Sequence, residues 1–492
     1  IRRPPRSTRK ESSAASDVYK RQGNSISANQ FYAFHLHVRS NSYNTLLRGR
    51  KLSQQYWTDQ YAKVERNRLR WVELNQRTLK AEKYIGLFDA QNNQDLPSAG
   101  RNVILAPTIT GSPRWYTEKM MDGLALVRRF GKPTLLITFT CNIQWPEIQN
   151  SLYAGESAYD RPDICTRVFK QKLNLLMNYL LKKQVLGPST YYLYTIEQQK
   201  RKCLHHAHII LGLEDTARTP DEIDNIIFAE LPDPNNKRLY DAVVKHMIHG
   251  PCGALNPNSP CMKSIGDSKK KICEKNYPME FSKETKIHEN AFPEYRRRSP
   301  EDGGRQHVME RGTVIDNRWI IPYNPVLLIL TDSHVNVIKI SSVISVKYAF
   351  KYVTKGPDRV IMKLDTGKPT NEVEQFINGR YLSASESVLK LLDSSITDRS
   401  HSVQKLACHL PDEQMIYYQD GDEEETLLKG EKHTTLTAWF VANLTYEEAK
   451  GILYIDFPEH FVFKNNKWTP KLTRNKIGLN HLICLLKSSQ ML

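Results

Sequence analysis

The segment Leu204-His205-His206-Ala207-His208-Ile209-Ile210-Leu211 constrains this chain more than any other. Beyond Ala207 it is apolar and β-prone, so it reads as a strand. Alternate side chains of a strand share a face, which projects His206 and His208 together. Two neutral imidazoles on one face can grip a divalent cation. The plain alternative is a packed or solvent-facing pair with no ion.

Lys347-Tyr348-Ala349-Phe350-Lys351-Tyr352-Val353-Thr354-Lys355-Gly356 lacks β alternation and runs into Gly-Pro, a helix stop. The segment therefore reads as a helix with Tyr348 and Tyr352 four residues apart on one face, and Lys355 falls on that face too. Without further context such tyrosines are core or interface residues. Beside a cation-bound phosphate they can attack phosphorus and form a covalent phosphotyrosine, the chemistry of DNA nicking and joining.

Composition narrows the setting. The chain has 492 residues, 40% of them hydrophobic, enough for two to four domains with substantial cores. Its formal net charge is +17, which favours a polyanionic partner, nucleic acid ahead of membrane. No basic amphipathic helix, lipidation motif, bilayer-length apolar run or signal peptide stands out, so no membrane partner is expected. Eight cysteines are too few for a disulfide scaffold and suggest reduced thiols in cytosol or nucleus. The opening Ile1 to Gln22 reads as translated sequencing adapter and is set apart from the fold. Removing its seven Lys/Arg and two Asp/Glu leaves +12 on the rest.

Along the chain, Gln54 to Lys83 reads as helices whose Trp and Tyr belong to a core. Val103 to Pro107 reads as a short strand, Tyr116 to Phe130 as a helix, Thr134 to Thr140 as a buried strand, Arg167 to Val185 as a helix and Tyr191 to Glu197 as a strand. Helices covering one face of an antiparallel sheet fit this order. Asp215 to Asp316 is a loop-rich insert holding His249, Cys252, Cys261 and Cys273, which fit either a small zinc knot or partly buried thiols beside a turn-capping histidine. Glu372 to Leu392 reads as helical, Gln414 to Tyr418 as strand-like, Asp420 to Glu425 as an acidic loop, and Thr434 to Tyr454 as part of the same accessory region.

Several landmarks recur in a fixed order: Gly131-Lys132-Pro133, Ile137 to Asn142, Trp145-Pro146-Glu147-Ile148, the histidine strand, His249-Gly250-Pro251-Cys252-Gly253, Asp316-Asn317-Arg318-Trp319, the two-tyrosine helix, Arg380 to Glu386 and Leu436 to Phe440. In this order they resemble the replication-initiator (Helitron helicase-like N-terminal) domain of Helitron transposases, a member of the HUH endonucleases, over roughly Asn102 to Pro470. The resemblance implies an α+β fold with a central antiparallel sheet and flanking helices. It implies Mg²⁺ or Mn²⁺ on His206 and His208, with Glu197 or Asn142 as third ligand. It also implies Tyr348 and Tyr352 as nucleophiles used in turn, and Lys355 steadying the phosphate or phenolate. Lys347, Lys351 and Arg359 are the basic residues expected to meet DNA; the alternative for Lys347, Lys351 and Lys355 is a solvated helix edge.

On that resemblance the chain divides into the adapter segment (1–22), a helical N-terminal region (23–100), the first part of a nuclease domain with the metal strand (101–214), the insert (215–316), the second part with the tyrosine helix (317–360), an accessory α+β region (361–470) and a divergent tail (471–492). The implied activity is a single-stranded DNA endonuclease and strand transferase of a rolling-circle transposon, acting in the nucleus on single-stranded or melted DNA at transposon ends. A non-catalytic DNA-binding remnant and a metal-dependent phosphodiesterase using water are the rival readings. The chain departs from the family at Gln199 to His205, one residue longer and lacking Gly and Pro, at Thr134, and at Ile338, where relatives often carry Glu. No Gly-x-x-x-x-Gly-Lys-Ser/Thr loop occurs, so the helicase that normally follows this domain is expected to be absent here.

Overall fold

In the computed structural model the described residues are 26–39, 43–76, 103–198, 204–214, 219–264, 271–288, 292–310, 312–356, 371–410, 433–471 and 478–482. The helices that matter here are α1 (Ala28–Leu36), α2 (Lys51–Leu74), α3 (Pro113–Phe130), α4 (Pro162–Leu181), α5 (Lys237–His246), α6 (Pro325–Thr331), α7 (Val343–Val353), α8 (Ala384–Leu391) and α9 (Thr435–Thr445). The strands are β1 (Leu135–Thr140), β2 (Ser189–Gln198), β3 (His205–Leu213), β4 (Met262–Ser264), β5 (Lys271–Cys273), β6 (Val335–Lys339) and β7 (Thr397–Arg399). Among the described residues no helix is long and apolar enough to cross a membrane.

The centre is a five-stranded antiparallel sheet in the order β6-β1-β3-β2-β7. Helices cover both of its faces rather than the one expected. On one face Ile137, Phe139, Ala207, Ile209 and Val337 pack against Phe169, Leu173 and Leu176 of α4. On the other, Leu136, Leu193 and Ile210 lie under Leu126 of α3 and Ala349, Phe350 and Val353 of α7. The reason lies in the strands: Leu135 to Ile137 and Ile209 to Leu211 are apolar at consecutive positions, which leaves neither parity for water. Each such side chain taken fully out of water contributes about 1.5–3 kcal/mol before ordering costs.

Local chemistry accounts for the element ends. Ser112 caps α3 by accepting the Trp115 N–H, Pro113 opens its first turn, and Gly131 with φ of 85° follows the helix. Helix α2 begins at Lys51, three residues before the expected start, and residues 77–83 lie outside the described residues. Its Trp57 and Tyr61 are core, whereas Trp71 is 55% exposed. Val103 to Pro107 is not a strand. The Ile104 and Leu105 N–H groups donate to the Gln76 and Glu372 side chains, and only one parallel bridge, Val103 to Asn371, forms. The expected helix Glu372 to Leu392 is two helices, broken where Gly379 ends the first and Ser383 caps α8.

Distant segments complete the core. Strand β7, from the region read as accessory, pairs Thr397 with Thr195 and closes one sheet edge. Buried Arg380 pairs with Glu65 of α2 and Glu386 of α8, joining the N-terminal helices to the downstream part. Helix α9 builds its own small cluster with Phe457, Phe461 and Trp468. Gln414 to Tyr418 and Asp420 to Glu425 lie outside the described residues.

Candidate functional site

Strand parity places His206 and His208 on the sheet face covered by α7, with ring centroids 4.6 Å apart. His205 points the other way, stacked on Phe169 and hydrogen-bonded through its two ring nitrogens to Thr166 and Gln198, each at 2.7 Å. It is a core histidine, and burial pushes its pKa down to about 3.

The cross-strand register supplies the neighbours. Thr140 of β1 and Glu197 of β2 lie opposite His206; Thr138 and Thr195 lie opposite His208. The Thr140 hydroxyl is 2.7 Å from His206 Nδ1, and Glu197 Oε1 is 3.0 Å from His208 Nε2. One ligand atom from each of Glu197, His206 and His208 falls within 4.8 Å of the others. Burial first, then the adjacent His208, holds His206 at about 3, so it is a neutral ligand at physiological pH. Burial would raise Glu197, but hydrogen bonds and charge from His208 and Lys355 outweigh it and hold the carboxyl at about 2.

Two imidazoles and a carboxylate are a donor set for a divalent cation. Among the described residues, buried His208 Nδ1, Thr195 Oγ1 and Asn336 Oδ1 have no hydrogen-bond partner. All three residues sit in one row across β6, β1, β3 and β2, because Thr138 pairs with both Asn336 and His208, and His208 pairs with Thr195. Unpaired buried polar atoms cost about 1–3 kcal/mol each, so this row fits a site completed by an ion or water. Of the two expected third ligands, Glu197 joins the histidines. Asn142 does not: its Nδ2 donates to the Asp332 carbonyl at 2.7 Å and its Oδ1 accepts the Gln144 N–H at 2.9 Å, which pins a loop.

The tyrosine helix α7 opens on a Ser342/Ser345 capping box and buries Ala349, Phe350 and Val353 against the sheet. Tyr352 is thereby laid beside His208, ring centroids 5.0 Å apart, and Tyr348 beside Tyr352 at 4.6 Å. Phe292 from the insert closes on the far side of Tyr348 at 5.3 Å. Burial and the adjoining Tyr352 raise the Tyr348 phenol above its ordinary pKa. Just beyond the helix, Lys355 Nζ forms an ion pair with Glu197 Oε2 at 2.6 Å. Lys347 and Lys351 are exposed on the outer side of the helix, and Arg359 lies outside the described residues.

Sequence reasoning passed over Thr140, Thr195 and Asn336. Thr138 and Thr140 carried a signal, being polar at alternate positions of an otherwise apolar strand. Gly123 of α3 was also missed. A Cβ there would meet Phe350 Cε1 at 2.3 Å, so the glycine is the seat on which the tyrosine helix rests.

A second gathering lies in the insert. His249, Cys252, Cys261 and Cys273, spread over 25 positions, bring one ligand atom each within 4.8 Å of the others. Burial and hydrogen bonding to the neighbouring thiols push Cys252 up to about 12. Cys273 moves down instead, because backbone N–H donors from Tyr277 and Lys275 and the other thiols outweigh its burial.

A mixed α+β sheet protein carrying a His-His-Glu group beneath a two-tyrosine helix is the class these features define. Residues 31–211 match the family described as Helitron helicase-like domain at N-terminus. The match supports a Helitron transposase-related role and implies an interaction with DNA. The match runs from within α1 to within β3, includes Glu197, His206 and His208, and stops before the tyrosine helix. No curated protein matches the chain.

Proposed function

We propose that this protein is a replication-initiator-type endonuclease and strand transferase of a rolling-circle, Helitron-like transposon, with an HUH-type site. It would act on single-stranded or melted DNA at transposon ends, in the nucleus, alongside a helicase of the kind normally fused downstream of this domain. The observation that carries the reading is Tyr352 lying beside His208 with Tyr348 next to it, over a group that includes Glu197 and His206.

Glu197, His206 and His208 would hold Mg²⁺ or Mn²⁺, and an all-N/O donor set suits these hard ions. Such an ion supplies a Lewis acid for the non-bridging phosphate oxygens. The chain's own residues do the rest. A tyrosine phenol gives up its proton and its oxygen bonds to phosphorus; the bond from phosphorus to the 3′ oxygen breaks, and that oxygen leaves with a proton as a free 3′-OH. The 5′ end stays on the tyrosine as a phosphodiester. Lys355, paired with Glu197 beside the histidines, would offer its ammonium to the phenolate or the phosphate. A second tyrosine beside the first allows a second strand to be attacked before the first is released.

The test is transfer of labelled single-stranded DNA onto the purified chain, read on denaturing gels with Mn²⁺ or Mg²⁺, with label on each side of the nick. A metal-dependent adduct lost in Tyr348→Phe/Tyr352→Phe and in His206→Ala/His208→Ala is expected. DNA binding without adduct would instead mean a non-catalytic remnant, and cleavage surviving without both tyrosines would mean attack by water.

A further inference from the structure

We propose that His249, Cys252, Cys261 and Cys273 bind one zinc ion that fastens the insert to the edge of the sheet bearing His206. This site is separate from the cation site described above and does not depend on that reading.

The four residues come from three separate pieces of chain: the loop after α5, the turn before β4 and the end of β5. Only the β4–β5 hairpin, pairing Met262 with Cys273, and the return of the chain bring them together. Cys273 Sγ lies 3.5 Å from His249 Nε2. A tetrahedral ion with sulfur at about 2.3 Å and nitrogen at about 2.0–2.1 Å sets that edge at about 3.5–3.6 Å. Three cysteines converge here, yet all remain free thiols. Any one disulfide would leave the third thiol over, whereas one soft cation uses all three and the imidazole.

The donor set also selects the ion. No carboxylate belongs to the group, so hard Mg²⁺ or Mn²⁺ is disfavoured and a thiolate-seeking cation is favoured. Four protein ligands fill a tetrahedral shell, which makes the site structural rather than catalytic. The surroundings fix the ligands: the Lys275 N–H donates to Cys273 Sγ at 3.4 Å, and the His249 ring is stacked on Tyr277 at 4.2 Å. Among the described residues the apolar packing beside these thiols is small, with Ile315 and Trp319 buried and Ile248, Met262, Tyr277 and Met309 partly buried against them, so a metal bond there would add to a thin core.

A line of hydrogen bonds leads from the group to the sheet face that bears His206. The His249 N–H donates to the Trp319 carbonyl, and the Ile321 N–H to Met247. His334 Nδ1 is 3.0 Å from the His246 carbonyl, the Thr140 N–H donates to the His334 carbonyl, and the Thr140 hydroxyl meets His206. Fixing residues 246–249 therefore fixes the backbone that holds Thr140 against His206.

Metal analysis of the purified full chain tests the proposal. About one zinc per chain is expected, lost in Cys261→Ser/Cys273→Ser and kept in His206→Ala/His208→Ala. Zinc that disappears with the histidine pair but survives the cysteine substitutions would overturn it, as would a chain without zinc that takes up none when the ion is supplied. Should the cysteine variant not fold, the unaltered chain loaded with Co²⁺ decides. Thiolate-to-cobalt absorption and tetrahedral d–d bands support the site, and their absence refutes it. Limited proteolysis gives a further readout: chelation is expected to open the insert to cleavage several-fold faster, and an unchanged rate counts against the fastening role.

Discussion

Lys355 Nζ lies 2.6 Å from one oxygen of Glu197 while the other oxygen of that carboxylate lies 3.0 Å from His208 Nε2. The ammonium that follows the tyrosine helix thus shares a carboxylate with the histidine group. On the proposed function, a cation arriving at Glu197 would meet Lys355 as a competitor of like charge and would release it toward the phosphate. Lys355→Ala should bind Mn²⁺ several-fold more tightly yet nick about 10²-fold more slowly, the usual loss for a group that stabilises developing negative charge. Calorimetric titration and single-turnover nicking measure the two effects; a variant with weaker binding and unaltered nicking would contradict this role.

The two tyrosines are not equivalent. Tyr352 adjoins His208, whereas Tyr348 stands between Tyr352 and Phe292 and has its phenol held above the ordinary pKa by burial and by Tyr352. First-strand cleavage is therefore expected to need Tyr352. Tyr352→Phe should abolish the adduct, and Tyr348→Phe should leave cleavage within about tenfold while depressing strand transfer. Mapping the modified peptide by mass spectrometry checks this; an adduct confined to Tyr348 would reverse the assignment.

Gly123 predicts a defect far from any reacting atom. Phe350 is 2% exposed and cannot swing away from a Cβ placed 2.3 Å from its ring. Gly123→Ala should cost about 1–3 kcal/mol by overpacking and lift the tyrosine helix from the sheet. Chemical denaturation and nicking should fall together, while DNA affinity carried by surface charge stays. Equal stability and full nicking would show that α3 and α7 part easily.

Acid should unfold the protein partly through buried neutral histidines. His205 is held at about 3 and His334 is also lowered, both by burial foremost, while an unfolded histidine titrates near about 6.5. Between these values the unfolded chain binds protons that the folded chain refuses. The His205 contribution is thus fully present above about pH 6.5 and declines as pH falls toward 3, by at most about 1.4 kcal/mol per pH unit, and His334 acts in the same direction. His205→Gln should flatten the stability profile between pH 7 and 5 in urea titrations; an unchanged slope would exclude His205 as the source.

Much of the site was legible before folding was considered. The one-residue spacing of His206 and His208, the four-residue spacing of Tyr348 and Tyr352, and the place of Glu197 on the preceding strand follow from periods of about two and 3.6 residues. The same period turns the neighbouring His205 to the opposite face, where it lies in the core. Asn142 misled because its side chain satisfies its own loop, a contact set by where Asp332 passes. The cysteines of the insert had irregular spacing, and nothing local indicated that the β4–β5 hairpin would fold Cys273 back onto His249.

The amino-acid sequence by itself determined which residues share a face, because that depends only on backbone geometry repeated over a few residues. It also set the basic character and the apolar runs that demand burial on both sides of the sheet. Only the tertiary structure decided that α7 lies over β3, that Thr140 supports His206, that a strand as distant as Thr397–Arg399 closes the edge, and that Arg380 joins α2 to α8. Those pairings join residues tens to hundreds of positions apart. They are selected by the burial and polar satisfaction of the whole chain, which no local periodicity records.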